Sequence, residues 1–319
     1  MKDRSVLWIL VAVVVGFALP VCGCVGTGVI AVGTLSRLGQ APTAQAPGIG
    51  DAVAVIELEG TITGSTQDYL ITTGITPGRV RSLLELAAAN GSVKAVVVRV
   101  NSPGGSVVAS DEIYHALESF SKPIVISMGD TAASGGYYIA CAGDYVIAHP
   151  DTLTGSIGVI SQFITYEGLL EKIGVDAVVI TTGPRKDLGS PFRDMTEEEK
   201  DLWRAILDQV YEDFVAVVVE GRDLPAEIVR ELADGRVYTG RQAMDLGLVD
   251  DVGTRQAAID KAAELGGIAG EPRVIELRPQ PSLLEMLYSF QSPSAMPSLE
   301  ELLGWAGMPS LQFRYLGDQ

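Results

Sequence analysis

The stretch TAASGGYYIA, Thr131 to Ala140, sets one serine between two alanines and two glycines, with paired tyrosines behind it. Small neighbours leave room for a carbonyl carbon to approach the Ser134 hydroxyl. The Gly135 N–H that follows could face the oxyanion such an attack would create. The mechanics are those of a nucleophile elbow, although a literal G-x-S-x-G is absent because Ala132 stands two positions before the serine. The same residues would also suit the N-cap of a short helix, where the hydroxyl is spent on a backbone N–H.

A serine nucleophile needs a base, and the chain offers few. Of its two histidines, His149 ends a strand-like run in YVIAHPD and His115 sits mid-helix among polar neighbours. A third candidate is Lys186 in TTGPRKDLGSPF. A lysine works as a base near neutral pH only if its pKa falls by roughly 3 units, about 4 kcal/mol, from its reference value near 10.4. Burial and the neighbouring cation Arg185 push that way, and Asp187 opposes them. A second glycine pair lies in NSPGGS, Asn101 to Ser106, between a strand pattern and a helix pattern. Backbone N–H groups there, at a helix start, could cradle an oxyanion or simply close a tight turn.

Other chemistries are disfavoured. Two histidines and three cysteines (Cys22, Cys24 and Cys141) make neither a zinc site nor a disulfide framework. Neither G-x-G-x-x-G nor G-x-x-x-x-G-K-[ST] occurs, so no nucleotide fingerprint is present. The formal charge of −17, with no basic run, argues against nucleic acid or an anionic surface as partner for the body.

Positioning these residues requires a framework, and the body alternates strand and helix signals. AVAVIELEG, VKAVVVRV, KPIVISMG, YVIAHP and GVDAVVITTG read as strands. TPGRVRSLLELAAANG, SVVASDEIYHALESF and SGGYYIACAG read as helices, and Thr196 with Glu199 forms a capping box for a long helix carrying Trp203, Ile206, Leu207, Val210, Tyr211 and Phe214. The β-branched runs suit strands buried on both faces, and the alternation predicts an α/β fold with a largely parallel sheet. Ligands of such sheets lie beyond the carboxyl ends of the strands, where Asn101–Ser106, Ser134 and Lys186 all fall.

The termini differ from the body. Residues 5–36 contain no Asp, Glu, Lys or Arg, and about 20 such apolar residues span a bilayer. Lys2 and Arg4 precede the run and Arg37 follows, which predicts a cytoplasmic N-terminus and an extracytoplasmic body. A cleaved signal peptide, or lipidation at Cys24 within VCGC, are the other readings of this segment. The expected organisation is an anchor over 1–39, a linker over 40–51, a catalytic domain over 52–268 and a tail over 269–319 with short amphipathic helices.

Five strings, NSPGGSV, TAASGGYYIACAGD, TLTGSIGVI, KDLGSPFRDMTEEE and GRVYTGRQAMDLGLVD, in this order, resemble the signal peptide peptidase A family. The resemblance covers roughly Asp51 to Gly266. It implies a membrane-anchored serine endopeptidase of Clp-protease/crotonase-like fold, with repeated β-β-α units, a largely parallel sheet and one N-terminal transmembrane helix. It assigns Ser134 as nucleophile and Lys186 as general base. It further implies Gly104 or Gly105 with Gly135 as oxyanion donors, and Ser156 and Ser190 as hydroxyls near the lysine. No metal or cofactor is implied. The expected substrates are apolar peptides, signal-peptide remnants above all. The expected assembly is a ring-like homo-oligomer in which neighbouring protomers contribute the serine and the lysine. Pro184 and Arg185 depart from the more permissive run common before the family's lysine. A related membrane-protein-cleaving peptidase, a crotonase-type acyl-CoA enzyme and an inactive membrane scaffold are the alternatives.

Overall fold

The structure, a computed structural model, describes residues 50–64 and 74–278 together with the backbone of a short strand at 312–314. The expected membrane helix, most of the linker and the amphipathic tail helices lie outside the described residues. Among the described residues no helix is long and apolar enough to cross a membrane.

The framework is a mixed, mostly parallel eight-stranded sheet. Its main path runs β7 (Val237–Thr239), β6 (Leu153–Gly155), β4 (Ile124–Ala133), β2 (Val93–Ser102), β1 (Ala52–Glu59) and β9 (Arg273–Leu277). β5 (Tyr145–Ala148) joins β4 to β8 (Asp251–Val252) beside that path. All pairings in this sheet are parallel except β6 with β7. The sheet continues beyond residue 268, because β9 pairs with β1 from Ala52↔Arg273 onward.

The strand periodicity explains the layers. On β1 and β2, Ala54, Ile56, Leu58, Val96, Val98 and Val100 enter one core, while Val53, Val55, Ala95 and Val97 enter another on the opposite face. A strand covered on both sides must be apolar at every position, which is why VKAVVVRV reads as a continuous run. The first face is covered by α1 (Pro77–Ala89), α2 (Val107–Glu118) and α3 (Gly135–Ala140), the second by α8 (Arg255–Leu265) through Ala258, Ile259, Ala262 and Ala263.

The expected long helix is α5 (Glu197–Arg222), and both halves of its Thr196/Glu199 capping box form. Its burial is uneven. Phe214 is fully buried and packs on Tyr138 at 5.0 Å, whereas Ile206 is exposed. Short helices α4 (Glu167–Ile173), α6 (Ala226–Leu232) and α7 (Gly240–Asp245) complete the described body.

One strand expectation fails. GVDAVVITTG forms no strand among the described residues, and Val178 and Ile180 are 83% and 91% exposed. A β-branched sequence becomes a strand only where an edge offers hydrogen-bond partners, and none reaches this segment among the described residues.

Candidate active site

Ser134 stands at the carboxyl end of β4, immediately before α3, and is buried to 1% exposure. Its backbone adopts φ 54°, ψ −119°, a region that side chains rarely occupy and that costs about 1–3 kcal/mol. It occupies the N-cap position, yet its side chain makes no capping hydrogen bond. The helix-cap reading therefore does not explain the residue. Its backbone is held instead: the Ser134 N–H donates to Gly155 O at 2.7 Å, and Ser134 O accepts from Tyr138 N at 2.8 Å.

The two glycine pairs converge on this serine. A methyl group built on Gly135 would lie 3.2 Å from Gly104 Cα, 3.2 Å from Gly105 N and 2.6 Å from Ser110 Oγ. Gly104 to Ser106 form a short strand, β3. Gly105, at φ 158°, leaves no room for a side chain, since a Cβ there would meet Ile62 O at 1.9 Å. The Gly104 N–H donates to Ser102 Oγ at 3.1 Å. Antiparallel to β3 runs β10 (Gln312–Arg314), with Phe313 opposite Gly105.

Ser156 also belongs to this region. It follows Gly155, carries φ 50°, and its N–H donates to Arg236 O at 2.8 Å. It opens onto a cleft of ≈ 530 Å³ whose lining includes Ile157, Val159, Leu207 and Tyr211.

Lys186 and Ser190 belong to a separate loop of the sequence. Lys186 is exposed in a turn, its N–H donating to Gly183 O at 3.2 Å, and among the described residues no hydrogen bond joins it to Ser134. Ser190 Oγ accepts from Phe192 N at 3.3 Å. This loop is anchored by Arg193, which bonds Asp187 at 2.7 and 2.9 Å and Glu199 at 2.8 and 2.6 Å. These bonds hold the Glu199 carboxyl down at about 2 and the Asp187 carboxyl below its usual range. Arg185 pairs with Glu198, so both charges flanking the lysine have partners of their own.

Neither histidine reaches Ser134 by a hydrogen bond among the described residues. His149 is exposed and accepts the Asp151 N–H at its Nδ1, 3.3 Å away. His115 is exposed beside Glu118 and Asp111, as its polar helix context suggested.

Sequence reasoning passed over Thr152, Thr154 and Gly155, all of which touch the strand that carries Ser134. Their signal was the small, β-branched character of TLTGSIG, but their partners lie more than twenty positions away. It also missed Arg193, whose reach to Glu199 was hidden in KDLGSPFRDMTEEE.

The fold is a Clp-protease-like α/β fold with a mostly parallel mixed sheet, and residues 70–154 match the Clp protease family. Residues 116–269 match Peptidase family S49. These matches give the chain Peptidase S49 and Clp protease domains, and relatives named Protease 4 and signal peptide peptidase support the signal peptide peptidase A family.

It is 47% identical over 185 residues to a Synechocystis sp. protein, covering 57% of this chain and 66% of that one. It is 35% identical over 248 residues to the chloroplastic serine protease SPPA of Arabidopsis thaliana, covering 74% and 36% respectively. The chain thus spans about two thirds or less of the length of these relatives. A ClpP1 variant from Listeria monocytogenes aligns at TM-score 0.43 and 16% identity, covering 64% of this chain and 94% of the other.

Proposed function

We propose that the chain is a serine endopeptidase in which Ser134 attacks a peptide carbonyl and Lys186 takes its proton. The observation that carries this reading is the conformation of Ser134: a buried, uncapped serine held at positive φ against a glycine pair. Strain of this kind persists where the surroundings over-determine it, and it sets the direction of the hydroxyl at the strand end.

The tetrahedral oxyanion would be met by the N–H groups of Gly135 and Gly105. Gly104 is the weaker choice of the glycine pair because its N–H is already given to Ser102. The cleft beyond Ser156, where Ile157, Val159, Leu207 and Tyr211 stand with Arg204, Asp208 and Asp234, would take a substrate side chain; apolar peptides such as signal-peptide remnants are the proposed substrates.

The exposure of Lys186 favours pairing between chains. In one protomer the lysine sits at the surface beside an exposed apolar segment that pairs with no strand among the described residues. Docking of that segment on a neighbour would bury Val178 and Ile180, complete a strand, and bring Lys186 to the neighbour's Ser134. Removal of the ammonium from water favours the neutral amine the mechanism needs. A ring-like homo-oligomer satisfies every protomer in the same way through a head-to-tail interface. The apolar run 5–36 supports an anchor that holds the body on the extracytoplasmic side, near such substrates.

The test is turnover of a fluorogenic apolar peptide by the full chain in detergent, with Ser134→Ala, Lys186→Ala and His149→Ala as comparisons. The first two lose turnover and the third keeps it. Activity in Lys186→Ala equal to wild type would remove the lysine from the mechanism.

A further inference from the structure

The pairing of β2 with β4 contains a defect just before Ser134. Val100 pairs with Met128 and Ser102 with Ala132, so Asn101 alone on β2 faces Gly129, Asp130 and Thr131 on β4. Two surplus residues on one strand leave backbone groups without ladder partners. Buried backbone groups in that condition must be satisfied by something else.

The side chain of Asn101 fills the defect. Its Oδ1 accepts the Thr131 N–H at 3.1 Å, while its main-chain carbonyl accepts the Gly60 N–H at 3.0 Å on the other side. Gly129 yields the space: a Cβ there would lie 2.8 Å from Asn101 Cβ and 3.0 Å from its Oδ1. From the opposite edge, the Thr152 hydroxyl donates to Gly129 O at 2.6 Å and the Thr154 hydroxyl to Ala132 O at 2.7 Å.

The defect has a consequence for the nucleophile. Up to Ser127 β4 pairs with β5, and from Thr131 it pairs with β6. The surplus residues let the strand change neighbours, and the new neighbour supplies the Gly155 carbonyl that holds the Ser134 N–H. A regular β4 would forgo this turn. Bulges beside reactive residues commonly re-aim a side chain in this way.

We infer that Asn101 is a positioning residue for Ser134, its side-chain carbonyl standing in for the partner that Thr131 lacks on β2 and fixing the path of residues 129–134. The inference rests on the peptidase reading for its effect on turnover, but its structural content can be read separately. Serine or threonine could not substitute, because the acceptor must reach across the width of the defect. Aspartate keeps the acceptor atom and the shape.

The experiment compares wild type, Asn101→Ala and Asn101→Asp in the full chain, with Ser134→Ala as control. The readouts are kcat and KM on the fluorogenic peptide and amide hydrogen exchange across residues 129–134. Asn101→Ala is expected to lower kcat about 100-fold with KM within about threefold, as a small misplacement of a reacting group does. It also speeds exchange in the 129–134 segment, and Asn101→Asp restores both. If Asn101→Ala does not fold, Asn101→Ser, too short to reach the Thr131 N–H, is read in its place.

The inference is overturned by a kcat within about twofold of wild type in Asn101→Ala, or by Asn101→Asp being as impaired as Asn101→Ala. Equal turnover in wild type and Ser134→Ala would instead sink the peptidase reading. Exchange then decides alone: faster exchange in Asn101→Ala supports the positioning role, and unchanged exchange overturns it.

Discussion

The Ser134 N–H and the Gly155 carbonyl meet at 2.7 Å, joining a serine at φ 54° to a glycine at φ 74° across the β4–β6 edge. The strained serine is thus held by the neighbouring strand, at a position whose positive φ suits glycine. Gly155 also has no space for a side chain, since a Cβ would lie 2.6 Å from Tyr238 Cδ2. Gly155→Ala is therefore expected to destabilise the fold by about 1–3 kcal/mol, and to cut turnover by more than the loss of folded protein explains. Thermal unfolding and kcat measured on the same preparation check this; unchanged kcat would mean the contact does not position the serine.

Gly135→Ala separates packing from chemistry. The new methyl would meet Ser110 Oγ at 2.6 Å and stand 3.2 Å from the Gly104–Gly105 backbone. Turnover is expected to fall about 10²–10³-fold, the scale for a displaced oxyanion donor. Adding Ser110→Ala relieves the hydroxyl clash and recovers stability, but leaves the glycine strand displaced. Recovery of turnover together with stability would show that the glycines do not form the oxyanion site.

The loop bearing Lys186 has its own pH dependence. Arg193 holds Glu199 at about 2, below its ordinary 4.5, and Asp187 shifts in the same direction. A depressed carboxyl contributes stability above its unfolded pKa and loses it as pH falls through the folded one. The loop is thus expected to be anchored at neutral pH and to loosen between about pH 4.5 and 2. Limited proteolysis by an acid-stable protease across residues 181–193 would report this. Glu199→Gln should show loosening already at pH 7, and equal protection in that variant would contradict the anchor.

Cys141 is fully buried between α3 and α5, and burial pushes its thiol up to about 12. A thiol that stays protonated and inaccessible is inert to alkylation. Peptide mapping after iodoacetamide at pH 8 should find Cys141 unmodified in the native protein and modified after denaturation. Rapid native labelling would place the thiol at an exposed surface.

The fold was legible where local chemistry decides. VKAVVVRV must be a strand covered on both faces, and Thr196 with Glu199 must open a helix; both form. The serine and its glycines were legible by the same logic, because removal of bulk leaves a mark in the sequence. What sequence reasoning missed is non-local. Ser134's positive φ depends on Gly155, and Gly105 lacks a side chain because of Ile62, forty-three positions earlier. GVDAVVITTG carries a strand's composition without a partner among the described residues, so composition alone misplaced it. Asn101 looked like the start of a turn, and only the β2–β4 register shows what its side chain replaces.

The central claim is that Ser134 of one chain works with Lys186 of another, and mixing two inactive variants tests it most directly. Full-length Ser134→Ala and Lys186→Ala, each inactive alone, are co-assembled at equal amounts and assayed on the fluorogenic peptide. Random assembly leaves about a quarter of interfaces with both wild-type residues, so turnover should recover to roughly a quarter of wild type. A mixture that assembles fully and stays inactive would contradict pairing between chains.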